Sequence, residues 1–247
     1  MESNLVRWGI PAIALGLALL FVLGVARAER VLGTDATLAR RRVALAALGV
    51  ALWMALIALA ALSGLLARFD VKPPPMLLWF ATVLGTAVVA GASSFGKRLA
   101  GALSLGALVG FQAFRLPLEL VMHQAAADGL MPSVMSFNGY NFDILSGVSA
   151  ALLAPLIFAQ RAPRWLIVAW NALGSALLFA IATIAMLASP VIRAFGDAQL
   201  NTWVTRFPYC WMAVMVAAAL FGHLLLARKL LAERTHLGAA PLRSATG

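Results

Sequence analysis

The residues best placed to do chemistry stand in one short run, Phe111-Gln112-Ala113-Phe114-Arg115-Leu116-Pro117-Leu118-Glu119-Leu120-Val121-Met122-His123. Residues four apart on a helix advance only about 40° around its axis, so Arg115, Glu119 and His123 form one polar stripe with Gln112 a turn earlier. A guanidinium, a carboxylate and an imidazole on one face can bind an anion, exchange protons, or share a metal ion. Arg115 and Glu119 are also close enough to neutralise each other. Downstream, Asn138-Gly139-Tyr140-Asn141-Phe142-Asp143 follows a turn-rich stretch from Asp128 that has no basic residue. Asp143 is placed to cap the helix that comes next.

What must position these groups is a membrane-spanning helical frame. The 247-residue chain is 63% hydrophobic and 11% charged, with a mean hydropathy of +0.93. Soluble domains lie far from that balance. Seven apolar segments stand out at 10–25, 43–66, 76–93, 99–120, 144–159, 165–188 and 208–227, each near the roughly 20 residues that a crossing helix needs. Arg40-Arg41-Arg42, Pro73-Pro74-Pro75, Lys97-Arg98 and Arg161-Ala162-Pro163-Arg164 punctuate the breaks. The fold class expected is therefore all-α, a polytopic membrane helix bundle of about seven transmembrane helices. Residues 1–227 form a single transmembrane domain and 228–247 a basic cytoplasmic tail, able to lie as an interfacial helix on anionic lipid.

Basic residues set the orientation, because Lys and Arg are retained on the cytoplasmic side. With the N-terminus outside, thirteen lie inside: Arg27, Arg30, Arg40, Arg41, Arg42, Lys97, Arg98, Arg161, Arg164, Arg228, Lys229, Arg234 and Arg243. Six remain for the outer side and the spans: Arg7, Arg68, Lys72, Arg115, Arg193 and Arg206. N-out and C-in follows, in a bacterial inner (plasma) membrane. Cleavage of the first segment after Ala26-Arg27-Ala28, as a signal peptide, would leave thirteen basic residues outside, so that segment is read as an uncleaved helix. The net charge of +10 is a topology signal, and no nucleic-acid partner is expected.

In this frame Trp8, Trp203, Tyr209, Trp211 and Trp165 fall near segment ends as interfacial anchors. Ala102, Gly106 and Gly110 give the fourth segment a stripe without bulk, facing Gly85 and Gly91 of the third. Counted from Lys97 and Arg98, Arg115 stands about 25 Å up, which places the polar stripe in the outer half, with Pro117 able to kink it. Met131, Met135, Phe137 and Phe142 let the outer loop fold back onto the helix ends or dip into the interface.

The stretch Phe114–Gly147 resembles an uncharacterised bacterial family of multi-pass membrane proteins with a Phe-Arg-x-Pro-x-Glu run and a following Asn-Phe-Asp segment. The resemblance implies no activity; it singles out Arg115, Glu119, Asn141 and Asp143. Three functions stay open. The first is a protein that binds or transports a small or anionic ligand at Arg115, Glu119, His123, Asn141 and Asp143. The second is a membrane-embedded enzyme using Glu119, His123 and Asp143, with or without a metal. The third is an accessory subunit whose loop recognises a membrane-protein partner. Cys210 is the only cysteine, so the chain alone builds no disulfide or paired-cysteine zinc site. No cofactor is assigned. His223 is read as an interfacial or packed residue near the inner end of the seventh segment, too far from His123 to share a haem with it.

Overall fold

The structure, a computed structural model, describes residues 3–238. It is all-helical: α1 (Asn4–Val31), α2 (Ala36–Leu62), α3 (Pro75–Ala92), α4 (Ser94–Ala102), α5 (Leu105–Phe111), α6 (Arg115–Ala127), α7 (Ile144–Phe158), α8 (Arg164–Leu187) and α9 (Met212–Gly238). Side-chain caps explain where several begin. Asp35 accepts from the Thr37 and Leu38 N–H groups at α2, and Ser93 and Ser104 accept from Gly96 and Ala107 at α4 and α5, satisfying donors that a helix start leaves free.

Six helical stretches are long and apolar enough to cross a membrane: Asn4–Val31, Ala36–Leu62, Pro75–Ala92, Leu105–Ala127, Arg164–Leu187 and Tyr209–Glu233. The remaining apolar helix, α7, has 15 residues. Their surfaces are wrong for water and right for lipid. On α2 only Met54, Ile57 and Ala61 are buried, while Leu45, Leu48, Leu52, Leu56 and Leu59 are exposed, a face that hydrocarbon solvates at no penalty.

Neighbours alternate in direction. Gly9 of α1 lies against Val121 of α6, Gly106 and Gly110 of α5 against Phe158 and Ala154 of α7, and Gly174 of α8 against His223 of α9. α9 runs parallel to α3, with Gly91 against Leu224, and to α1, with Phe21 edge-on to Phe221. The two ends of the described chain therefore lie at opposite ends of the bundle.

Several sequence expectations change here. The fourth segment is not one helix: it breaks at Leu103, where Ser104 caps a new start, so Ala102 is separated from Gly106 and Gly110. The small-residue face of α5 receives α7, not the third segment, with Gly106 against Phe158 and Gly110 against Ala154. Pro117 sits in the first turn of α6, just after the 3-10 turn Gln112–Phe114 that separates α5 from α6, so the regular helix is interrupted immediately before it. Trp203 and Tyr209 are buried and in tilted ring contact at 5.2 Å, whereas Trp8 and Trp165 are exposed as anchors should be. The boundary at 227/228 falls inside α9, whose Arg228 donates to the Gly91 and Ser93 carbonyls and Lys229 to Ala100. Beyond residue 238 the basic tail lies outside the described residues.

Candidate functional site

The site is built by a chain reversal. After α6 ends, the segment from Asp128 to Asp143 turns back along that helix, with Met131, Met135, Ser136 and Asn141 buried and Phe137 stacked on His123 at 4.3 Å between ring centroids. Irregular backbone is tolerated at membrane depth only when protein surrounds it and satisfies its polar groups. Here Asn141 does so: its Nδ2 donates to Glu119 Oε2 at 2.8 Å and to the Met135 carbonyl at 3.0 Å, and its Oδ1 accepts from the Asp143 N–H at 3.0 Å. The segment follows the C-terminal end of α6 and leads directly into the short α7.

Gly147, one turn into α7, lies so close to the Arg115–Leu116 backbone that a Cβ would overlap the Leu116 nitrogen. That approach brings Asp143 to Arg115. The guanidinium Nη1 meets Asp143 Oδ1 at 3.1 Å and donates to the Gly174 carbonyl of α8 at 3.2 Å. Ser146 Oγ donates to the same Asp143 oxygen at 3.0 Å. Arg115 is 1% exposed and Asp143 5%, so each charge depends on the other for its counter-ion.

Of the five candidate residues, four converge: Arg115, Glu119, Asn141 and Asp143. His123 does not join them. It is half-buried under Phe137, and among the described residues no hydrogen bond links it to Glu119. Arg115 pairs with Asp143 rather than with Glu119, because helix spacing brings residues to one face but the reversal delivers a closer carboxylate. Asp143 makes no side-chain cap hydrogen bond at α7; its Oδ1 serves both Arg115 and Ser146. The depth also changes. Arg115 stands about 15 Å along the helical stretch from Leu105, near the middle of Leu105–Ala127, because Lys97 and Arg98 belong to the separate helix α4.

Residues outside the five candidates complete the surroundings. His223 sits at mid-bundle, 2% exposed, not at an inner end; its Nδ1 lies 2.8 Å from Asn171 Oδ1. Gln112 donates to the Ala219 carbonyl at 2.9 Å. A lone Asn in the apolar run of α8 and a His in that of α9 were the available signals, since intramembrane polar residues turn inward.

On the other side of Arg115 lies a cavity of about 110 Å³ between α3, α6, α8 and α9. Its wall is mainly apolar, with Met76, Met122, Leu178 and Met215 among the lining residues, and its polar members are Arg115, Asp143, Trp79 and Asn201. Arg115 Nε and Nη2, Trp79 Nε1 and Asn201 Oδ1 are buried with no hydrogen-bond partner among the described residues. Three residues that line this cavity, Arg115, Trp79 and Asn201, thus carry buried polar atoms without partners among the described residues. Among the described residues no three of His, Cys, Asp and Glu are placed to hold a metal ion.

The fold and the buried polar centre define a multi-pass α-helical membrane protein. No protein-family profile, curated protein or solved structure matches the chain.

Proposed function

We propose that this is an inner-membrane protein of bacteria, oriented N-out and C-in and related to the family with the Phe-Arg-x-Pro-x-Glu and Asn-Phe-Asp segments, that binds a small polar ligand in the cavity beside Arg115. The observation that supports it is that Arg115, Trp79 and Asn201 line one cavity and each holds a buried polar atom, Arg115 Nε and Nη2, Trp79 Nε1 and Asn201 Oδ1, with no partner among the described residues. Leaving a buried donor unmade costs about 1–3 kcal/mol, and more when the group is charged. A ligand with acceptor oxygens at one end and a small apolar body fits both the donors and the apolar wall. A short carboxylate has that form, and Arg115 offers it two N–H groups on one edge.

The test is thermal unfolding of the detergent-purified protein with acetate, pyruvate, inorganic phosphate and urea, in parallel with Arg115→Gln/Asp143→Asn, which removes both charges together. A saturable rise in melting temperature with one of these probes, absent in the double variant, supports the site. No rise with any of them, or the same rise in the variant, removes it. Uptake of the active probe into proteoliposomes then separates transport from binding.

A further inference from the structure

A second space lies on the opposite side of α1 and α9, with no residue in common with the Arg115 cavity. It is a groove of about 600 Å³, floored by α1 and α9 and walled by α2 on one side and α3 and α4 on the other. α2 leans on α1 and has no extended packing against α3, so the groove opens sideways between them, and Leu45, Gly49 and Thr86 on its rim are exposed. Along its length the lining is apolar, including Leu17, Phe21, Val50, Ala90 and Phe221. At one end the character changes. Arg42 Nη1 and Arg98 Nη2 both donate to the same Glu29 oxygen, at 3.0 and 2.8 Å.

We propose that this groove binds one anionic phospholipid from the surrounding bilayer, with an acyl chain along the apolar lining and the phosphate against Arg42 and Arg98. The charge argument is direct. Two guanidiniums share one carboxylate, which leaves one positive charge over, and both arginine side chains are 37% exposed while Glu29 is 7% exposed. Each guanidinium has five N–H donors, of which few are used here, and their fork geometry matches phosphate oxygens.

Length and charge together select the occupant. From Arg42 to Trp53 the groove runs about 16 Å at 1.5 Å per residue. That length suits an acyl chain, and the surplus positive charge at the Arg42–Arg98 end favours an anionic headgroup over an apolar partner helix. Gly49 keeps the path open, since a Cβ there meets nothing within 4 Å.

The experiment is a lipid titration of the full chain in detergent, followed by native mass spectrometry, with phosphatidylglycerol, phosphatidylcholine of the same chains, and glycerol 1-phosphate as probes. Phosphatidylglycerol is expected to bind at least about fivefold more tightly than phosphatidylcholine, as one arginine near a phosphate is worth about that factor. Arg42→Gln, which leaves the Arg98–Glu29 pair in place, should bring the two lipids to within about twofold. Gly49→Phe, which fills the groove without touching a charge, should weaken both lipids about tenfold or more, and it decides the matter if Arg42→Gln does not fold. Equal affinity for the two lipids in the parent, no loss in Gly49→Phe, or glycerol 1-phosphate binding as tightly as phosphatidylglycerol would each overturn the proposal.

Discussion

Asp143 meets Arg115 at 3.1 Å, and it does so because the backbone between them reverses along α6 instead of leaving the bundle. Removing one member of a buried pair strands the other, at a penalty of about 3–5 kcal/mol. Arg115→Ala should therefore lower stability by that amount in reversible unfolding in mixed micelles. Arg115→Gln/Asp143→Asn should recover most of the loss, since neither charge is then left alone.

Asn141 holds the reversed segment by three bonds, to Glu119, the Met135 carbonyl and the Asp143 N–H. Asn141→Ala should destabilise the protein by about 2 kcal/mol and open the segment 128–143 to a protease added to the detergent-purified protein. Unchanged cleavage kinetics would show that the segment is held by other contacts.

The approach of α7 to α6 rests on Gly147. Gly147→Ala places a methyl group on the Leu116 backbone, and overpacking of this kind costs about 1–3 kcal/mol. Gly85 of α3, where a Cβ meets nothing within 4 Å, is the control: Gly85→Ala should leave stability within about 0.5 kcal/mol. Equal effects at the two positions would contradict the close α6–α7 contact.

Asp128 ties the first residues of α1 to the end of α6. Its carboxylate accepts the Ser3 N–H and the Gln124 amide, both at 2.8 Å, and these bonds hold its pKa below the ordinary 3.8. A lowered carboxylate pKa contributes stability that is fully present above 3.8 and is lost as pH falls through the folded value. Asp128→Asn should melt below the parent at neutral pH, and the gap should close as the medium is acidified past that point. A gap independent of pH would remove the charge from the explanation.

The all-helical membrane frame was legible because it follows from composition and segment length, which bilayer thickness fixes. The site was legible as residues but not as partners. Helix spacing puts Glu119 beside Arg115, while the carboxylate that reaches the guanidinium arrives through a segment whose turn-forming residues announce a turn but not how deep it runs. The break at Leu103 hides inside an unbroken apolar run, and its only sign is the capping Ser104. Trp79 and Asn201 were out of reach, for they join Arg115 only when α3 and the stretch before α9 fold across the cavity mouth. His223 moved to mid-bundle because α9 continues past Arg228, whose charge is met by the carbonyls of α3.

The most direct test is equilibrium binding of the best short-carboxylate probe to the parent and to Trp79→Phe. That substitution removes a single N–H from the cavity wall and leaves its apolar surface. Affinity should fall about fivefold, the worth of one hydrogen bond of roughly 1 kcal/mol, while the melting temperature without ligand stays level or rises. Unchanged affinity in Trp79→Phe, with the probe still bound by Arg115→Gln/Asp143→Asn, would place the ligand elsewhere and contradict the account.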